Sequence, residues 1–211
     1  MKAPKPQALV LCEKSGSVRD ALRRCGWDAY SLDTKPEDFP SPYHIEADLN
    51  ELFGTDFFGD HDNPVFDLII AHPPCQYLSV VGHNTTPDEK KQERAQKTDE
   101  AIDFVRKIMA LPCKYMAIEN PKSLISSRIR PSDQLIQPYQ FGHDAKKGTC
   151  LWLKNLPKLR PTNIVDGREA RVHKMPPGPD RWKERSRTFE GVAEAMADQW
   201  GDFEFRLEAA E

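Results

Sequence analysis

The sequence predicts an α/β protein with a mostly parallel sheet and helices on both faces. Short apolar runs such as Ala8-Leu9-Val10-Leu11 and Leu68-Ile69-Ile70-Ala71 suit strands buried on both sides. Longer stretches with apolar residues at helical spacing alternate with them. That alternation implies βαβ units and crossover connections. At 211 residues the chain can build one sizeable core, so a single domain over residues 1–211 is expected.

Residues 8–12 form the first expected strand. The loop Glu13-Lys14-Ser15-Gly16 follows, then a helix with Val18, Ala21 and Leu22 on one face. Residues 29–33 form a second strand and residues 44–48 a weaker third. Asp62-Asn63-Pro64 breaks the chain before a strong strand at 66–71. A long helix over 88–111 buries Ala101, Ile102, Val105, Ile108 and Met109, and Pro112 ends it. Strands are expected at 115–118 and 149–153, and a helix from Thr188 to Trp200. Residues 154–187 are rich in Pro, Lys and Arg and show no clear periodicity.

Composition narrows the function classes. No run of about 18 apolar residues exists, so no membrane span is expected. The five cysteines are scattered, with no CxxC pair, which points away from a zinc site or a disulfide framework. A reducing, cytoplasmic setting is expected. The net charge of −3 hides an asymmetry. Residues 1–100 carry 11 Lys and Arg against 18 Asp and Glu. Residues 122–187 carry 15 against 6, a local basic excess that a phosphate backbone would feel.

Two residue types stand out by position. Cys75 lies in His72-Pro73-Pro74-Cys75-Gln76, just past a buried strand. Glu119 lies 44 positions later in Glu119-Asn120-Pro121, at the end of the next apolar run. In open parallel sheets, chemistry gathers at the C-terminal strand ends. An isolated cysteine is usually a small buried side chain, and an isolated strand-end glutamate is usually surface. The pair fits covalent catalysis on a pyrimidine. C5 of cytosine is a poor nucleophile until a thiolate adds at C6, and an acid at N3 prevents charge building on the ring. Cys75 would supply the thiolate and Glu119 the N3 contact, its proton favoured by burial. Asn120 would orient the base through its amide.

Pro74-Cys75-Gln76 with Ser79, followed by Glu119-Asn120-Pro121, resembles the cytosine-C5 DNA methyltransferases. The small phage and prophage members look most similar. The resemblance includes Ser15-Gly16-Ser17-Val18-Arg19-Asp20-Ala21 and His72-Pro73-Pro74-Cys75-Gln76-Tyr77-Leu78-Ser79. It extends through Gln137-Pro138-Tyr139-Gln140-Phe141-Gly142, Thr149-Cys150-Leu151-Trp152-Leu153-Lys154 and Ala197-Asp198-Gln199-Trp200-Gly201. It implies a Rossmann-like S-adenosylmethionine-dependent methyltransferase fold with a minimal target-recognition insertion, here residues 154–187. It also implies a cytoplasmic monomer acting on DNA in a bacterial host cell or encoded by a prophage.

By the same resemblance, Asp33 would contact the cofactor ribose and Asp48 its adenine. Glu13, Lys14, Ser15, Gly16, Pro73, Ser186 and Thr188 complete the expected cofactor-binding set. Lys147 and Thr149 fall where larger members carry two arginines supporting the flipped base. Gln76, Tyr77 and Ser79 would meet the substrate. No metal is implied. Lysine at position 14 replaces the usual first glycine of the cofactor loop, and would suit a carboxylate, on S-adenosyl-L-methionine or a carboxylated analogue. The candidate phosphate-facing cations include Lys122, Arg128, Arg130, Lys146 and Lys154. Two rivals remain open: an amino-directed DNA methyltransferase, and a catalytically silent DNA-binding protein with the same fold.

Overall fold

The computed structural model describes residues 5–37, 40–167, 169 and 187–201. Seven strands form one sheet: β1 Gln7–Leu11, β2 Asp28–Asp33, β3 His44–Glu46, β4 Leu68–Ala71, β5 Tyr115–Pro121, β6 Gln134–Ile136 and β7 Thr149–Lys154. Their order is β3-β2-β1-β4-β5-β7-β6. The first five in that order run parallel, whereas β7 is antiparallel to both β5 and β6.

The helices are α1 Ser17–Arg24, α2 Leu49–Leu52, α3 Val80–Asn84, α4 Lys91–Met109, α5 Ile125–Arg128 and α6 Glu190–Gly201. Strand alternation divides the core. Ala8 and Val10 face a cluster with Val18, Leu22, Met196 and Trp200, from α1 and α6. Leu9 and Leu11 face the other side, with Ile102, Val105 and Ile108 from α4. Both faces of β1 and β4 are therefore dry, which is why their sequences are apolar throughout. No helix among the described residues is long and apolar enough to cross a membrane.

Several expected boundaries move. The third strand stops at Glu46, because Asp48 caps α2 by accepting the Asn50 N–H. The strong central strand begins at Leu68, and the long helix spans Lys91–Met109 after a 3₁₀ turn. β5 continues past Ile118 to Pro121, since β7 offers it an antiparallel partner. Glu119 is thus inside a strand, opposite Leu151, rather than in a loop beyond it.

The expected target-recognition segment is anchored where it is described. Leu159 is buried, and its N–H donates to Gln134 Oε1 at 2.8 Å. Trp200 of α6 donates to the Pro157 carbonyl at 2.9 Å. Residues 157–160 therefore pack on β6 and α6.

A candidate active site at the ends of β1, β4 and β5

β1 is flanked by β2 on one side and β4 on the other, so connections leave it in opposite directions. Such a switch point opens a crevice at the C-terminal strand ends. The loop after β4 lies at that end. Pro73 is buried and Cys75 is exposed. The Cys75 carbonyl accepts the N–H groups of Leu78 at 3.2 Å and Ser79 at 2.9 Å, closing a turn around the cysteine. Ser79 then caps α3 through Gly82.

Two neighbours brace this loop. Asn120 on β5 is 1% exposed and donates to the Pro73 carbonyl at 2.8 Å. Its amide nitrogen therefore holds the cysteine loop. The chain past β5 adds Leu124 N–H to Leu78 O at 2.8 Å. On the other side, α4 holds the loop through two carbonyls. Arg94 donates to Gln76 O at 2.8 Å and Thr98 to Tyr77 O at 3.0 Å. Gln76 is exposed and Tyr77 half-buried, with the Arg94 guanidinium 5.5 Å from its ring.

Glu119 sits beside this loop through His72, whose Nδ1 is 3.2 Å from Glu119 Oε2. Burial pushes the Glu119 carboxyl up. The hydrogen bond and charge of His72, the charge of Lys147 and a hydrogen bond from Thr149 outweigh it, leaving Glu119 below its ordinary value. Burial likewise opposes a charged His72, but the Glu119 hydrogen bond, the Glu119 charge and the Glu13 charge hold it above its ordinary value. Each group thus favours the charged form of the other. This corrects the expectation that burial keeps Glu119 protonated.

The Lys147 charge acts on Glu119, and Thr149, whose hydroxyl donates to the Lys147 carbonyl at 3.2 Å, lies beside them. Lys147 Nζ also donates to the Arg187 carbonyl at 3.3 Å, which brings the segment before α6 to the same place. Thr188 is half-buried in that segment, while Ser186 lies outside the described residues.

The loop after β1 forms the other wall. Glu13 is buried and accepts the Val18 N–H at 2.8 Å and the Arg19 N–H at 3.2 Å. Its carboxylate is committed to the N-terminus of α1, which shapes the loop. Gly16 enters α1 at φ 67°, and a Cβ there would strike the Arg19 and Glu37 side chains. Ser15 and Ser17 share a hydroxyl contact at 3.1 Å, and Lys14 is half-buried. Asp33 and Asp48 converge on Cys12. Burial and then these two carboxylates push its thiol up to about 12. Each carboxylate uses Oδ1 for a local turn, Asp33 to the Lys35 N–H and Asp48 to the Asn50 N–H.

Two expected phosphate contacts lie at the wrong end of the sheet. Antiparallel pairing places Lys154 beside Met116, and its Nζ donates to the Cys113 carbonyl. Arg130 binds Asp133 and the Leu153 carbonyl, beside the same strand end. Sequence reasoning passed over His72 as a site residue. The available signal was a titratable side chain directly before the double proline.

A solved protein described as a DNA modification methyltransferase encoded within an E. coli prophage matches with a TM-score of 0.51. Identity is 17% over 76% of this chain and 52% of that one. The two share a Rossmann-like α/β fold. The Dnmt2 methyltransferase of S. pombe gives a TM-score of 0.46 at 16% identity, over 80% of this chain and 54% of its own. The Entamoeba histolytica methyltransferase EhMeth gives 0.45 at 14%, over 77% and 58%. The chain thus spans a little over half the length of each of these solved chains. No family model and no curated protein matches the sequence.

Proposed function

We propose that this chain is a DNA cytosine-C5 methyltransferase. The observation that carries the reading is the bracing of the cysteine loop against β5. His72 before the loop touches Glu119, and Asn120 holds the loop carbonyl at Pro73. In this reading a thiol and a carboxyl group from two adjacent strands would meet one base. The amino-directed alternative gives Glu119 no task.

In this reading a cytosine leaves the duplex stack, because C6 is unreachable inside it. The Cys75 thiolate adds to C6 while Glu119 meets N3. The resulting enamine makes C5 nucleophilic. S-adenosyl-L-methionine, when bound, supplies the electrophilic methyl group. Asp33 and Asp48 suit it, since a ribose diol and an adenine amino group are both donors and each carboxylate has Oδ2 to offer. Lys14, in the loop after β1, would meet the amino-acid end of the cofactor, whose carboxylate would balance its charge. A carboxylated analogue is the variant that would use Lys14 most fully.

Lys147 and Thr149 steady Glu119, and Gln76, Tyr77 and Ser79 belong to the DNA-facing loop. The whole chain serves as one catalytic domain. Target recognition falls to the basic stretch after the anchored residues 157–160, and sequence specificity is low.

The test is trapping with duplex DNA containing 5-fluorocytosine, in the presence of S-adenosyl-L-methionine. Fluorine at C5 blocks the final elimination, so the expected product is a denaturation-resistant protein–DNA adduct. It should be absent with Cys75→Ala. An adduct that survives this substitution, or full methylation activity in Cys75→Ser, would remove the proposal.

A further inference from the structure

We propose that His72 is a positioning residue for Glu119 and holds the proton that Glu119 delivers to the base. The inference rests on the reading of Glu119 as the group that meets N3.

The placement follows from register. Ala71 pairs with Ile118 across β4 and β5, so the next residue of each strand is His72 and Glu119. The His72 N–H donates to the Leu11 carbonyl at 3.0 Å, which fixes the ring's origin to β1 as well. The two side chains are 11% and 14% exposed, and Nδ1 meets Oε2 at 3.2 Å. A carboxylate can only accept, so Nδ1 carries hydrogen. Nε2 is buried and has no hydrogen-bond partner among the described residues, so the ring's polar commitment there is to Glu119.

The charged groups around the ring come from three elements. Glu119 faces it from β5, Glu13 from the loop after β1, and Lys147 from the chain before β7. The two acids favour the imidazolium and the lysine opposes it. The Thr149 hydroxyl on β7 donates to the Lys147 carbonyl at 3.2 Å.

An ionised Glu119 has no proton to give. The ring needs one when sulfur attacks. The Cys75 sulfur pair forms the S–C6 bond, the C5=C6 pair moves to C4=C5, and the C4=N3 pair moves onto N3. N3 takes a proton from Glu119 as Glu119 takes the Nδ1 proton of His72. The thiolate and imidazolium charges cancel, leaving a neutral adduct, a neutral imidazole and the carboxylate unchanged. After C5 is alkylated, water takes the C5 proton, the C5–H pair re-forms C5=C6 as the S–C6 pair leaves with the thiolate, and the N3 proton returns by the same route. Burial favours this exchange, because the site gains no net charge.

The direct experiment is imidazole NMR on the full chain, wild type and Glu119→Gln. His72 should titrate above the ordinary value of about 6.5, and its midpoint should fall in Glu119→Gln. A His72 already neutral at pH 6.5, or a midpoint indifferent to Glu119→Gln, overturns the inference whatever the chain acts on. Adduct kinetics with 5-fluorocytosine DNA then test the proton. His72→Asn can keep a hydrogen bond but not an exchangeable charge. It should trap about 100-fold more slowly and lose the alkaline fall in rate that wild type shows. An unchanged rate and pH profile refutes the proton role. Absence of any wild-type adduct, with His72 still titrating high, sinks the methyltransferase reading and the proton's destination while the ion pair stands.

Discussion

β1 and β4 lie side by side in register, and each delivers a cysteine at its C-terminal end. Cys12 follows β1 directly, in a left-handed turn at φ 57°. Burial and the charges of Asp33 and Asp48 push its thiol up to about 12, so it stays protonated and inert. Cys75 comes four residues after β4, past two prolines, and is exposed. The same strand end thus yields a spectator in one case and a candidate nucleophile in the other. Loop length and neighbouring charge decide which.

The sharpest way to break this contrast is to exchange the two sulfurs' fates by substitution. Cys75→Ala should reduce 5-fluorocytosine adduct formation by roughly 10⁴-fold or more, whereas Cys12→Ser should still form it. Equal losses in both would erase the distinction. Alkylation of the native protein sharpens it next. A thiol near 12 rather than the ordinary value of about 8.5 has roughly 10³-fold less thiolate, so iodoacetamide followed by peptide mass mapping should mark Cys75 long before Cys12.

A third test addresses what surrounds Cys12. Asp33→Asn should weaken S-adenosyl-L-methionine binding about tenfold by calorimetry, and it should also speed Cys12 alkylation by removing a repelling charge. The smallest effect concerns the pair beside Cys75. His72 has its folded value raised, so its stabilising contribution is complete below about pH 6.5 and is lost as pH rises through that higher value. Glu119 has its value lowered, so its contribution is present above about pH 4.3 and is lost as pH falls through the lower one. Thermal unfolding should lose about 2–4 °C on the alkaline side in wild type and show no such loss in Glu119→Gln.

Much of the scaffold was legible because its cause is local. Leu68-Ile69-Ile70-Ala71 is apolar at every position, and only a doubly covered strand uses such a run. The apolar stripe Ile102, Val105 and Ile108 announced α4. β6 was not legible, since three residues become a strand only when β7 lies alongside. The direction of β7 was hidden for the same reason, and that hid the true location of Lys154.

Within the site, the sulfur and carboxyl positions followed from strand ends. The charge state of Glu119 did not. It is set by burial and by residues 72, 147 and 149, which reach it from two places in the chain. Periodicity carries no information about such meetings.

The hydrogen bonds of Arg94 and Thr98 to the cysteine loop end on main-chain carbonyls, at Gln76 and Tyr77. Substitution at either position leaves the anchor atoms in place. Mutational drift can therefore rewrite what the loop presents at the surface without removing these two anchors of the turn that holds the sulfur. Directed libraries at 76 and 77 should yield altered preferences far more often than dead protein.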